Sequence, residues 1–275
     1  MNPLQFLKSQ CWKLTLPVGK PDEILMPALA DYSSEWFRLS ANGDGATFIA
    51  PTDGATTSGS KNPRSELREM WPDGKTKAAW SSTVGTHSML FDFTVDALPL
   101  GSKPVVVVGQ IHDANDDVTV FRVEGATSGD RRLATLYVTD GNTSKAHRIG
   151  VIKLGERVRV GFYVSGGIIR YFHGENLLPY QQSKKVVGCY FKVGSYCQSG
   201  GNITRLPGGG ADFAQVTIHS VRVCHDGVCQ GDEEVPAPPA GNDARVEVLE
   251  QQVATLTAQV ATLKATNEAL RKVFA

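Results

Sequence analysis

The chain has 275 residues, 41% hydrophobic and 20% charged, enough for one large core with an appendage. Its 28 Lys and Arg offset its 28 Asp and Glu, so no overall charge draws it to nucleic acid. No apolar stretch approaches the ~18 residues that a membrane span needs; the longest purely aliphatic run is Val105 to Val108.

At the N-terminus, Met1 to Lys8 lacks both a basic leader and a long apolar segment, so no signal peptide is visible. The expectation is a secreted, extracellular protein if a leader has been removed, with an intracellular one left open. Period-two and apolar runs then recur at Phe48-Ile49, His87 to Val95, Val105 to His112, Val118 to Val123 and Leu133 to Val138. They continue at Val158 to Val164, Ile168 to Phe172, Tyr190 to Tyr196 and Val216 to Val223. Asp53-Gly54, Asp73-Gly74, Asp140-Gly141 and Gly166-Gly167 punctuate them as turns. No long helical pattern precedes residue 240, so the spacing predicts an all-β protein, a two-sheet sandwich or jelly roll over residues 1–231.

Five cysteines are present, Cys11, Cys189, Cys197, Cys224 and Cys229. Cys224 and Cys229 flank His225-Asp226-Gly227-Val228, whose Asp-Gly pair signals a hairpin, so a disulfide across that turn is expected. Cys189 and Cys197 on one strand would lie roughly 26 Å apart and are not expected to pair. With one close Cys pair and no second pair or paired His, zinc is disfavoured.

Residues 232–243 have the composition of a linker, acidic at first and then Pro236-Ala237-Pro238-Pro239, which favours an extended path. In residues 244–275, Leu249, Leu256, Leu263 and Leu270 recur every seven positions, with Val246, Val253, Val260 and Asn267 three residues before each. Branched Val at a, Leu at d and one Asn at a predict a coiled-coil helix that makes a homo-oligomer, a parallel dimer ahead of a trimer. Residues 1–231 keep 24 Lys and Arg against 21 Asp and Glu, a mild net charge of +3.

Three polar clusters stand out within the strands: Arg64-Ser65-Glu66-Leu67-Arg68, Gln110-Ile111-His112, and Tyr190 through Gln198. Residues two apart on a strand share a face, so each cluster projects a polar row: Arg64/Glu66/Arg68, Gln110/His112 and Lys192/Tyr196. Guanidinium, amide, imidazole, ammonium and phenol groups on one sheet face suit an anionic substrate whose proton must be moved. A uronic-acid polysaccharide is the natural candidate.

With Trp12-Lys13-Leu14-Thr15-Leu16-Pro17 near the start, these clusters resemble the alginate lyases of polysaccharide lyase family 7, whose hallmarks are R(S/T)E(L/V)R, Q(I/V)H and YFKxGxYxQ. All three occur in the family's order, and the resemblance runs from about Cys11 to about Val223. It implies a jelly-roll fold, an alginate substrate and β-elimination, with no metal or organic cofactor required. Arg64, Gln110 and His112 would bind and neutralise the uronate carboxylate, and Tyr196 would protonate the leaving oxygen. For guluronate His112 would be the base and Tyr196 the acid; for mannuronate Tyr196 would serve as both. Lys192 and Arg68 would hold neighbouring sugars or put positive charge beside the Tyr196 phenol. Glu66 would orient the two arginines sharing its face, and Tyr190 and Gln198 would complete the substrate-binding surface. Isoleucine at 111 is associated in the family with guluronate-containing blocks, and endo-acting cleavage is expected.

Two other functions fit the same pattern less well. A carbohydrate-binding lectin on this fold would lack at least one of His112 and Tyr196, and both are present. A glycoside hydrolase would need paired carboxylates, whereas Glu66 is the only acid in the three clusters. A glucuronan-type uronate lyase is the closest rival among enzymes.

Overall fold

The structure, a computed structural model, describes residues 2–9, 11–101, 103–141, 146–200, 210 and 212–231. The linker and coiled coil expected over 232–243 and 244–275 lie outside the described residues.

One four-residue helix, α1 (Pro3–Phe6), precedes the strands β1 (Trp12–Thr15), β2 (Glu23–Ile24), β3 (Phe37–Leu39), β4 (Ala46–Pro51), β5 (Arg64–Glu69) and β6 (Thr86–Ala97). Next come β7 (Val105–His112), β8 (Asp117–Gly125), β9 (Leu133–Thr139), β10 (Ala146–Lys153) and β11 (Arg157–Ser165). The last are β12 (Ile168–His173), β13 (Asn176–Ser183), β14 (Tyr190–Cys197), β15 (Phe213–His225) and β16 (Val228–Gly231). They form two antiparallel sheets. The first runs β10-β9-β8-β7-β14-β5-β1-β2 and the second β13-β12-β11-β6-β15-β4-β3, with β16 paired to β15. This is the two-sheet sandwich that the alternation predicts.

The inward faces carry large apolar side chains, among them Trp12, Phe48, Phe91, Phe121, Phe162 and Phe191, each 0% exposed. Burying one such side chain stabilises the fold by about 1.5–3 kcal/mol. Gly109 explains how closely the layers approach on β7. A Cβ there would lie 2.4 Å from Phe91 Cζ of the opposite sheet, so the ring occupies the space that any other residue would fill.

Cys224 and Cys229 face each other across β15 and β16 and are bonded, as the hairpin signal implies. The turn is made by Asp226 and Gly227 at φ +49° and +81°, the left-handed pair that a two-residue hairpin wants. Cys11, Cys189 and Cys197 are buried free thiols.

Beneath the turn, Glu69 joins the layers. Its Oε2 accepts from Trp80 Nε1 at 3.1 Å and from the Phe191 amide at 2.9 Å, while His225 Nε2 lies 2.5 Å from its Oε1. The β5–β14 ladder ends at the Lys192/Arg68 pair, and Glu69 satisfies the next amide on β14.

Candidate active site

The three predicted clusters lie on neighbouring strands, because β7, β14 and β5 are consecutive in the first sheet. Register aligns them further. Gln110, Lys192, Arg68 and Lys13 form one row across β7, β14, β5 and β1; Tyr190 faces His112, and Tyr196 faces Arg64. Phe191, Val193 and Leu67, each 0% exposed, occupy the alternate positions and turn into the core.

Above this face lies a groove of about 830 Å³. Its floor includes Arg64, Arg68, His112, Tyr190, Lys192 and Tyr196, with Gln198 at one side. Residues 57–62 form one wall and residues 113–117 another. Glu66 and Gln110 do not line it; at 1% and 0% exposed, they lie just beneath.

Glu66 is the hub of the floor. Its Oε2 lies 2.5 Å from Lys192 Nζ and 3.1 Å from Arg64 Nη1, and its Oε1 accepts from Gln110 Nε2. Burial pushes the Glu66 carboxyl upward, but the Lys192 and Arg64 charges, with hydrogen bonds from Lys192 and Gln110, hold it below the usual carboxylate range. Burial also pulls Lys192 down to about 8, with the Arg64 charge reinforcing the shift and Glu66 opposing it. The sequence suggested that Glu66 orients both arginines, but it holds only Arg64. Arg68 instead donates to the Glu69 and Ala78 carbonyls and lies 3.8 Å over the Tyr190 ring.

Gln110, expected to touch the substrate carboxylate, is sealed under the floor with its amide turned to Glu66. Its Nε2 donates to Oε1 of the buried Glu66, which holds the side chain below the floor. Around the groove, the buried polar atoms Gln110 Oε1, Arg64 Nε and Gln198 Nε2 have no hydrogen-bond partner among the described residues. An unpaired buried polar atom costs about 1–3 kcal/mol, and such atoms clustered at a groove mark a surface prepared for a polar ligand.

Tyr196 is 8% exposed, with Arg64 stacked 3.8 Å from its ring centre and its hydroxyl 2.8 Å from Ser60 Oγ. His112 stacks on Tyr190 at 5.2 Å between ring centres. Its Nδ1 lies 2.6 Å from the Asp113 carbonyl oxygen, which can only accept, so Nδ1 carries the proton and Nε2 is the basic nitrogen. Nε2 in turn lies 3.7 Å from Asp117 Oδ1.

Sequence reasoning missed Ser60, Lys13, Lys77 and Asp117, all of which line the groove. The polar run Thr57 to Asn62 just ahead of the Arg64 cluster was a usable signal, as was the acidic run Asp113 to Asp117 that directly follows His112. Among the described residues no group of three or more His, Cys, Asp or Glu is arranged to hold a metal ion.

The sequence matches the family model described as alginate lyase over residues 7–225. Comparison with curated protein sequences finds no match. Among solved structures, the alginate lyase AlgAT5 from polysaccharide lyase family 7 is 39% identical, with a TM-score of 0.73, covering 82% of this chain and 99% of its own. The alginate lyase from Corynebacterium sp. is 40% identical, with a TM-score of 0.72 and coverage of 81% and 97%. A variant of the family 7 alginate lyase A1-II′ in complex with substrate (GGMG) is 26% identical, with a TM-score of 0.64 and coverage of 82% and 95%.

Proposed function

Since the chain belongs to the alginate lyase family, polysaccharide lyase family 7, and so is a polysaccharide lyase, we propose that it cuts alginate internally by β-elimination, favouring guluronate-containing blocks. The reaction removes the C5 proton beside a carboxylate and expels the oxygen on C4. Charge builds up on a group that is already negative, so that group must be neutralised. Arg64 does this from the floor, held by Glu66 and assisted by the positive Lys192. A positioned donor at such an oxyanion contributes ~10²–10³ in rate.

On guluronate, His112 Nε2 takes the C5 proton and the Tyr196 hydroxyl protonates the leaving oxygen. On mannuronate, Tyr196 performs both transfers. Each transfer by a positioned acid or base contributes about 10²–10⁴. Arg68, Lys192, Tyr190 and Gln198 bind the flanking sugars, while Gln110 acts from beneath by holding Glu66. The observation that carries this reading is the fixed His112 tautomer. It leaves an unprotonated nitrogen at the groove, on the strand next to the one that bears Tyr196. The block preference is supported by Ile111 and by the GGMG substrate of the A1-II′ variant.

We further propose a homo-oligomer through residues 244–275, resting on the heptad pattern alone, and an extracellular location if a leader has been removed. The test of function is ultraviolet absorbance of the unsaturated uronate ends on polyguluronate, polymannuronate and glucuronan, together with early product sizes. The expected result is a faster rise on polyguluronate, none on glucuronan, and a mixture of oligomers from the first minutes. A faster rise on glucuronan, or release of monomer alone at the outset, would overturn it.

A further inference from the structure

A lyase that uses separate groups as base and acid ends each turnover in the wrong protonation state. His112 holds the proton taken from C5, and Tyr196 lacks the one it gave. The route by which His112 sheds that proton rests on the reading above and is a separate question of geometry.

Nδ1 of His112 is committed to the Asp113 carbonyl at 2.6 Å, and the flat face of the ring is covered by Tyr190. Only Nε2 can pass the proton on. Its acidic neighbour is Asp117, directly opposite His112 in the β7–β8 register, with Oδ1 3.7 Å from Nε2. The loop between them is tightly fixed. Asp113 Oδ1 accepts from the amides of Asn115 and Asp116 at 2.7 and 2.9 Å, and Asp116 Oδ1 accepts from the Asp117 amide at 2.8 Å. The Asp117 carboxylate lines the groove with its side chain 17% exposed, so it faces both the histidine and solvent.

We propose that Asp117 is the positioning residue that draws the proton from His112 Nε2 and passes it to solvent. In balanced form, the C5–H bond breaks and Nε2–H forms, while the C5 electron pair becomes the C4–C5 double bond. The C4–O bond breaks and its oxygen takes the Tyr196 proton. Nε2–H then breaks as Asp117 Oδ1–H forms, Asp117 gives that proton to water, and the Tyr196 phenolate takes one from water. Closing the gap of 3.7 Å to a charge-assisted hydrogen bond needs movement of about 1 Å by either side chain.

The charges around Asp117 suit a temporary proton carrier. Burial raises its carboxyl, His112 from β7 with Lys192 from β14 and Arg64 from β5 lower it, and Glu66 from β5 raises it. The net shift is upward, which favours accepting a proton.

The two block types separate this role from a structural one. When Tyr196 is both base and acid, His112 carries no proton and Asp117 has nothing to remove. For Asp117→Asn, kcat on polyguluronate is expected to fall at least about tenfold more than kcat on polymannuronate. Formate added to the assay should restore part of the polyguluronate rate. Asp117→Glu, which keeps a carboxylate, should retain most of it and serves if the Asn variant does not fold. Equal losses on both polymers, no loss on polyguluronate, or an Asp117→Glu variant as impaired on polyguluronate as one without a carboxylate would each overturn the proposal. The wild-type rates are read first. A wild type inactive on both polymers rejects the function itself, and one inactive only on polyguluronate rejects the block preference and this inference with it.

Discussion

Lys192 Nζ and Glu66 Oε2 lie 2.5 Å apart with both side chains buried, so the charge that faces the substrate depends on a carboxylate that the substrate never meets. Breaking one partner of such a pair costs about 3–5 kcal/mol, because the other is left buried and uncompensated. Glu66→Gln is therefore expected to lower stability by that order in urea titration. Adding Lys192→Met should recover part of the loss. A double variant no more stable than Glu66→Gln alone would mean that the pair is not coupled.

Lys192 also gives a pH signature. Burial, with Arg64 nearby, lowers its pKa to about 8. Above that value Lys192 becomes neutral, and KM on alginate should rise. In Lys192→Arg this limb should vanish, since a guanidinium stays charged. The sign for stability follows from proton uptake. Between about 8 and 10.4 the unfolded chain holds this proton more often than the folded one, so the group's contribution to stability rises with pH across that window.

Tyr196→Phe keeps the ring under Arg64 and removes only the hydroxyl. We expect kcat to fall by at least ~10² with little change in melting temperature. Ser60→Ala removes the partner 2.8 Å from that hydroxyl and should have a smaller effect, confined to kcat. A Tyr196→Phe variant with wild-type kcat would exclude the phenol from the chemistry.

Gly194 lies opposite Glu66 on β14 at φ +144°, where an added Cβ would approach Ser65 O to 2.7 Å and the Glu66 Cα to 3.0 Å. Gly194→Ala is expected to cost at least about 1–3 kcal/mol from backbone strain. It should also displace the hub and reduce activity beyond what the stability loss explains. Circular dichroism melts alongside initial rates measure both.

His87 predicts a weakness to acid. Its Nε2 lies 2.8 Å from the Val84 carbonyl and must donate, so its Nδ1 accepts from His225 Nδ1 at 2.7 Å. Burial lowers its pKa, and the neighbouring His225 adds to this. Its contribution to stability is present above the unfolded value of about 6.5 and is lost as the pH falls through the lower folded value. The urea midpoint should drop between pH 7.5 and 5, and less steeply in His87→Gln. An unchanged slope in the variant would assign the acid sensitivity to other groups.

The strands that sequence made visible are those buried along nearly their whole length, such as Val105–His112 and Tyr190–Cys197, where apolar runs and polar period-two rows stand out. Several strands gave no such signal, β13 and β10 among them. β13 carries Pro179 and is exposed at half of its positions, which a strand at a sheet edge tolerates because no outer neighbour needs the missing donor. β10 is likewise an edge strand, exposed at half of its positions, with its pairing to β9 disturbed between Arg148 and Gly150. In the site, the face of each cluster was legible because period-two geometry is local. The burial of Gln110, the Lys192–Glu66 pair and the Ser60–Tyr196 contact were not. They depend on which strands are neighbours and in what register, and partners 44, 126 and 136 residues apart leave no local trace.

The way Glu66 reaches from β5 to Gln110 on β7, past a β14 position that bears no side chain, has a consequence for how this enzyme could diversify. The floor is one interlocked unit, so a single change there disturbs several charges together. The rims at residues 57–62 and 113–116 make no hydrogen bond or ion pair with Glu66. New tastes in block composition should therefore arise by mutation at the rims, and a directed-evolution library restricted to those two loops should yield more active variants than one aimed at the strands.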